Sequence, residues 1–311
     1  MEMMNDQAIR PPWPEGAPRT TRPIPQRYED ISQDGRLLLE AAPQALGEAI
    51  WRAQLATAPI ARALRKAGIV PILTRLVVEG TDGPFSVAAD LEGTGSYQVA
   101  ASVGGDGAIE RLYVLMWADI DGRIGRTYGP QPPGAGERRL AARVFAEHVL
   151  TRLFAPPAER RVTSLDGLGP DIAAVPPARY QSPRAEALLE PPPGATPLDD
   201  ALVLDPVPFA VGLVHTDSNQ HVNSLVYPRL FEEAALRRLA AHGRSTALLG
   251  RAVDIHYRKP FFAGQKIRTA LRLWATADGG VCAAGVFLAD SGDGSDPLAG
   301  RPHATCRLWL R

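Results

Sequence analysis

The chain contains little cysteine, lysine or asparagine, and it has no long apolar run. Only two cysteines, Cys282 and Cys306, occur among 311 residues, too few for the disulfide frameworks of small secreted domains. No apolar stretch approaches the roughly 18–20 residues that a membrane-spanning helix needs. The opening MEMMNDQAIRPPWPEG lacks the apolar core of a secretory signal. The expectation is a soluble, cytoplasmic protein with no membrane span. Surplus charge is also missing: 34 Lys and Arg balance 34 Asp and Glu. That balance argues against a nucleic-acid partner, whose phosphates are met by excess cations. With 45% hydrophobic residues the composition is globular, and the length suggests two domains or one duplicated unit.

Lysine stands only at 66, 259 and 266, and asparagine only at 5, 219 and 223. Amid abundant Ala, Gly, Pro and Arg, this is the mark of a GC-rich coding bias, which depletes both residues indiscriminately. Two of the three asparagines nevertheless fall inside Asp217-Ser-Asn-Gln-His-Val-Asn223, which points to chemistry there.

Proline punctuates the chain. Residues 1–27 carry six prolines and no sustained periodicity, so a disordered tail is expected. Residues 155–199 carry ten more. Proline lacks a backbone donor and restrains its predecessor, so this stretch is expected to be a linker. It separates an N-terminal repeat, 28–154, from a C-terminal repeat, 200–311. In the first, Ala41 to Ala67 reads as a helix broken or kinked at Pro59 and stopped at Gly68. Strands are predicted at Val70–Glu79, Phe85–Leu91, Tyr97–Val103 and Ile109–Trp117, then a helix at about Glu137–Phe154. In the second, Pro208–His215 reads as a strand and Asn223–Ala241 as a helix. Strands follow at Arg251–Lys259, Gln265–Thr276, Val281–Ala289 and Ala304–Leu310. The predicted class is α+β: two repeats of a long helix wrapped by an antiparallel sheet, a weak internal duplication.

The chemistry concentrates in Val214–Tyr227, between a predicted strand and a helix. Asp217, Asn219 and His221 offer a carboxylate, an amide and an imidazole within five residues. Asn223 and Ser224 are placed to cap the helix. Other N–H groups at the helix start are then free to meet a developing oxyanion, a contribution typically worth about 10²–10³ in rate. Local turn chemistry alone also favours Asp, Ser and Asn here, but a turn requires neither the histidine nor the tyrosine that follows.

Asp217-Ser-Asn219-Gln-His221-Val-Asn223-Ser-x-x-Tyr227, followed by Glu233 and Tyr257-Arg258, resembles the hotdog-fold acyl thioesterases. The match is nearest to the acyl-ACP thioesterase type, with its pattern D-x-N-Q-H-V-N-N-x-x-Y. The resemblance implies a double hotdog with its catalytic set in the C-terminal repeat, and a degenerate N-terminal repeat that shapes an acyl pocket. It implies Asp217 as general base or nucleophile, with Asn219 and His221 orienting water and the thioester carbonyl. Asn223, Tyr227, Glu233, His256 and Arg258 would support the site or bind substrate. The substrate would be acyl-CoA or an acyl carrier protein conjugate, without cofactor or metal, in a monomer or homodimer.

Two departures stand out. His256 occupies the position before Tyr-Arg where plant members typically have Glu, and Pro228 falls in the first turns of the helix. His215, His221 and His256 lack the ligand-like partners of a zinc site. A hotdog enoyl-thioester hydratase would carry D-x-N-P-x-H, with one more residue before the histidine and a proline. A non-catalytic acyl-binding protein is the other alternative, supported by His256. Asp254, His256 and Arg258 alternate along one predicted strand face. The cysteines read as inert buried thiols. Between 224 and 272, ten Arg and Lys stand against three acids, a local excess suited to coenzyme A phosphates or an acidic carrier.

Overall fold

A computed structural model describes residues 9–169, 177–290 and 297–311. Residues 1–8 of the tail expected over 1–27, and residues 170–176 of the linker expected over 155–199, lie outside these residues. The chain forms two compact units, one within Ala8–Pro183 and the other within Arg184–Arg311. The boundary thus falls inside the stretch 155–199 rather than at either end of it.

In the N-terminal unit the strands are β1 (Thr20–Ile24), β2 (Val70–Gly80), β3 (Leu91–Val103), β4 (Ile109–Arg123) and β5 (Arg138–Thr151), with short β6 (Ala178–Arg179). They lie in the order β1-β3-β4-β5-β2, all antiparallel, and β6 adds to β3 in parallel. Within the stretch 1–27 that was expected to be a tail, Ile9 and Trp13 pack on the sheet and Thr20–Ile24 forms β1. Arg10 is buried and ion-paired with Asp119 at 2.7 Å. Trp13 Nε1 donates to Asp119 at 3.2 Å, and Trp117 Nε1 donates to the Pro11 carbonyl at 3.0 Å. The prolines leave the tail extended, and its tryptophan and arginine fasten it to the sheet face carrying Trp117 and Phe145.

The long helix expected over Ala41–Ala67 is interrupted. It comprises α1 (Gln44–Leu46), a π-helical run Gly47–Leu55, and α2 (Pro59–Lys66). Pro59 forces Ala58 into the extended region, at φ −63° and ψ 136°, and then starts α2 as its first residue. The π-helical run packs tightly on β3: a Cβ at Gly95 would lie 2.7 Å from Ile50 Cγ1 and 2.9 Å from Ala49 Cβ. Gly95 is therefore needed for the close approach.

The helix expected at about Glu137–Phe154 is instead strand β5. Its Ala, Leu, Arg and Glu favour a helix by propensity, but β5 lies between β4 and β2 with both faces covered. Phe145 and Glu147 face the Tyr180 side, while His148 faces Trp51, ring centroids 5.6 Å apart. A doubly buried strand has a near-continuous apolar run, which periodicity cannot distinguish from a buried helix. The strand predicted at Phe85–Leu91 is absent: Phe85 makes a single bridge to Ile124, and Leu91 begins β3.

The C-terminal unit holds β7 (Thr196–Pro197), β8 (Val203–Leu204), β9 (Phe209–Ala210), β10 (Gly250–Tyr257), β11 (Lys266–Ala275), β12 (Val281–Ala289) and β13 (Ala304–Leu310). The order is β10-β13-β12-β11, and the three short strands share the free edge of β11. Helix α3 (Val226–Ala241) buries Tyr227, Pro228, Leu230, Phe231, Ala234, Ala235 and Leu239 against β10, β11 and β13. Each large apolar side chain buried there contributes about 1.5–3 kcal/mol. The far end of α3 is tied down by Asp199, whose carboxylate is nearly inaccessible. It accepts from Arg238, from His242 Nε2 at 2.8 Å and from the Leu273 N–H at 3.0 Å. Burial opposes the charge on Asp199, but these donors outweigh it and lower its pKa. Cys282 and Cys306 are buried, and burial pushes the Cys282 thiol up to about 12.

The buried His148 gives the fold a pH signature. Burial lowers its pKa from the ordinary histidine value of about 6.5 to about 4, which sets a window between those two pH values. The unfolded chain therefore binds a proton in that window that the folded chain excludes. Stability should fall as pH drops through it, by on the order of 3 kcal/mol in all. Urea midpoints taken from pH 7 to pH 4 should show His148→Leu losing less stability than wild type. Parallel losses would contradict the assignment.

Candidate active site

The approach to the cluster is a loop rather than the strand expected at Pro208–His215. Only Phe209–Ala210 pairs as β9. The Val211 N–H donates to the Gln265 carbonyl and the Gly264 N–H to the Val211 carbonyl, at 2.9 and 2.8 Å. A single 3-10 turn follows at Leu213–His215. His215 braces it: Nδ1 accepts the Gly212 N–H at 2.9 Å, and the ring meets Phe209 edge-on at 4.6 Å.

The chain then reverses. Thr216 bridges Val222, the Asp217 N–H donates to the His221 carbonyl at 3.1 Å, and the Gln220 N–H donates to the Asp217 carbonyl at 2.9 Å. Asp217 Oδ1 accepts the Asn219 N–H at 2.8 Å, the local bond that makes aspartate a turn former. Gln220 is left-handed at φ 66°, as a turn that closes so tightly requires at its last corner. Asp217 and His221 are therefore opposed across the reversal, with Asp217 Oδ1 4.0 Å from His221 Nδ1.

His221 Nδ1 also lies 3.3 Å from the Val222 carbonyl. A carbonyl can only accept, so Nδ1 is the donor in this contact, and in the neutral form of the ring Nε2 is the nitrogen that carries the lone pair. Asp217 and His221 are both partly exposed, and Asn219 between them is exposed. The three sequence-predicted groups are thus brought together on one accessible loop. Asp217 and His221 face each other, while Asn219 contributes its backbone to the turn.

Asn223 is a brace. Its N–H donates to the His215 carbonyl at 2.9 Å, its carbonyl accepts the Val226 N–H at 3.0 Å, and its Oδ1 accepts the Leu225 N–H at 2.8 Å. The helix accordingly begins at Val226, later than the Asn223 start expected from the sequence. Pro228 is its third residue, where an N–H has no intrahelical acceptor, so the proline breaks no helical bond. With the Leu225 and Val226 N–H groups taken by Asn223, Pro228 lacking an N–H and the Arg229 N–H making the first helical bond, the helix start retains the Tyr227 N–H for an oxyanion.

The remaining predicted residues occupy different surroundings. Tyr227 lies in an aromatic cluster, with ring centroids 5.4 Å from Tyr257, 6.2 Å from Phe261 and 5.3 Å from Phe287. Burial pushes its phenol up to about 12. Glu233 is half-exposed, and its ion-pair partners are Arg229 at 3.5 Å and Arg237 at 4.0 Å. Asp254 and His256 are buried along β10 with Nε2 3.8 Å from Oδ1. Arg258 is exposed just past the end of that strand.

Two supports are additional to the predicted set. The Tyr257 hydroxyl donates to the Ser224 carbonyl at 2.8 Å. His303 stacks on Phe261 at 3.9 Å, and the Phe261 carbonyl accepts the Val222 N–H at 2.8 Å. Burial, reinforced by Lys259, lowers the His303 pKa. His303 stands 82 residues from His221 in a segment without a motif, so no local signal marks it. The excess of cations between 224 and 272 is partly met by acids outside that window: Arg237 pairs with Asp205, Arg238 with Asp199 and Arg268 with Asp290.

No family model and no curated protein matches the chain. Solved structures do. A protein from Lactobacillus plantarum, provisionally assigned as an oleoyl thioesterase, superposes with a TM-score of 0.59 at 15% identity over 96% of both chains. An acyl-ACP thioesterase from Bacteroides thetaiotaomicron gives 0.53 at 11% identity, over 94% of this chain and 98% of the other. The 12:0-ACP thioesterase from Umbellularia californica gives 0.52 at 16% identity, over 94% and 97%. At such identities the likeness is one of fold. The chain has the fold of the hotdog acyl-ACP thioesterases across nearly its whole length, as the motif resemblance implied.

Proposed function

We propose that the chain hydrolyses acyl thioesters, with acyl-CoA or an acyl carrier protein conjugate as substrate. The observation that carries this reading is the opposition of Asp217 and His221 on an exposed turn that leads directly into α3. With the proton on Nδ1, His221 Nε2 takes a proton from water as the water attacks the thioester carbonyl. The Asp217 carboxylate offsets the charge that develops on the imidazole. Asn219 orients the same water from the turn. The Tyr227 N–H meets the oxyanion, and the helix dipole favours negative charge at that end. The thiol leaving group has an ordinary pKa near ~8.5 and departs as thiolate with little assistance. No step calls for a metal or a cofactor.

The match in fold to three thioesterases supports this reading, as does the absence of the D-x-N-P-x-H spacing of a hydratase. Free-thiol release from a panel of acyl-CoA and acyl-carrier substrates is the direct test. Wild type should release thiol, and Asp217→Ala should lower kcat by about 10²-fold or more. No release from any substrate would overturn the proposal, and hydration of a crotonyl thioester would assign the chain to the rival class.

Gln220 separates the shape of the turn from its chemistry. Gln220→Gly relieves the left-handed strain and should keep kcat within about twofold while raising stability by about 0.5–1 kcal/mol. Gln220→Val should lower both, because a β-branched residue resists that conformation. Equal stability of the two variants would contradict the turn geometry.

A further inference from the structure

Strand β5 ends in a loop, 152–161, that is closed on itself. The Arg152 N–H and the Thr151 hydroxyl both donate to the Arg160 carbonyl, at 2.9 and 3.0 Å. Arg160 Nε donates to the Ala155 carbonyl at 2.9 Å, and Thr151 bridges Arg161. The tip of this braced loop is apolar. Leu153 is 42% exposed and Phe154 90%, the highest exposure of any large apolar side chain among the described residues. A rigid loop that holds a phenylalanine in water is unfavourable unless something covers the ring.

Cations surround the tip. Arg160 and Arg161 are exposed and Arg152 half-buried within the loop, against the single acid Glu159. Val70 pairs with Thr151, and the end of α2 lies immediately before Val70 in the chain. This places the exposed Arg62, Arg65 and Lys66 at the same end of the sheet. The neighbouring β3–β4 turn adds Asp106, Glu110 and Arg111, which leaves the net charge of this end positive.

We propose that this end of the N-terminal unit docks on an anionic phospholipid surface. Phe154 and Leu153 enter the acyl boundary, and Arg62, Arg65, Lys66, Arg160 and Arg161 lie at the headgroups. The apolar part is a projection of two consecutive side chains, and a fluid bilayer can close around such a projection. Basic residues around an apolar tip are the arrangement that anionic interfaces hold, through apolar burial together with attraction to the headgroups. The surface is independent of the hydrolytic reading, since it lies in the other unit from Asp217 and His221.

Cosedimentation of the full chain with extruded vesicles tests this proposal. Binding is expected with vesicles of phosphatidylcholine containing phosphatidylglycerol, and not with phosphatidylcholine alone. Phe154→Ser should weaken it by about tenfold or more, as should the pair Arg160→Glu and Arg161→Glu. Raising salt to about 0.5 M should weaken it too. Circular dichroism should show all variants folded, because the substituted side chains are exposed. Absence of binding to anionic vesicles, or binding that Phe154→Ser leaves unchanged, would overturn the proposal. Retention on immobilised polyglutamate without vesicle binding would assign the surface to an acidic protein and overturn the lipid reading equally.

Discussion

The hydrogen bond from the Asp217 N–H to the His221 carbonyl sets the register of the reversal on which the site depends. It opposes the carboxylate and the imidazole across a turn only four residues long. Three further attachments hold that turn in place: His215 and Asn223 close its base, Phe261 accepts the Val222 N–H from the side, and Tyr257 holds the Ser224 carbonyl beyond it. Each bond contributes about 0.5–1.5 kcal/mol net. Their combined effect is geometric, because they join the segment around the turn to a separate segment, Tyr257–Phe261. The exposed turn is thereby pre-organised, and pre-organised polar groups make an exposed loop effective in catalysis.

The two units use the same materials differently. In the C-terminal unit an unbroken 16-residue helix lies on the sheet and starts beside the reactive turn. In the N-terminal unit the helical segment is divided by a π-helical run and by Pro59, and no Asp-x-Asn-x-His set stands at its start. That unit supplies one nonpolar helix-facing surface with a neutral His148 in it, and an opposite face covered by the segment carrying Trp13 and by Tyr180. The division is consistent with one reactive turn per chain.

Much of this was legible in the sequence. The C-terminal strands were readable because apolar runs alternate with Gly and Asp turns, and Val281–Ala289 and Ala304–Leu310 stand where the pattern placed them. Asp217, Asn219 and His221 were legible because asparagine is scarce and their spacing matches a known pattern. Strand β5 was not, because Ala, Leu and Arg carry helical propensity while burial on both faces erases the twofold alternation. The packing of the segment around Arg10 and Trp13 left no local signal, because these anchors find partners more than a hundred residues away. His303 acts through a stacked ring and a backbone bond, neither of which leaves a local signature. The cation excess seen in one window is offset by Asp199, Asp205 and Asp290, which only the tertiary fold brings into contact.

The central claim is that water, held by His221 and supported by Asp217, attacks the thioester directly. Single-turnover hydrolysis in ¹⁸O-labelled water, with enzyme in excess and mass analysis of both the acid and the Asp217 peptide, tests it most directly. The account predicts label in the released acid on the first turnover and none in the peptide. Unlabelled acid with label retained in the Asp217 carboxylate would show that Asp217 itself is the nucleophile, and would contradict it.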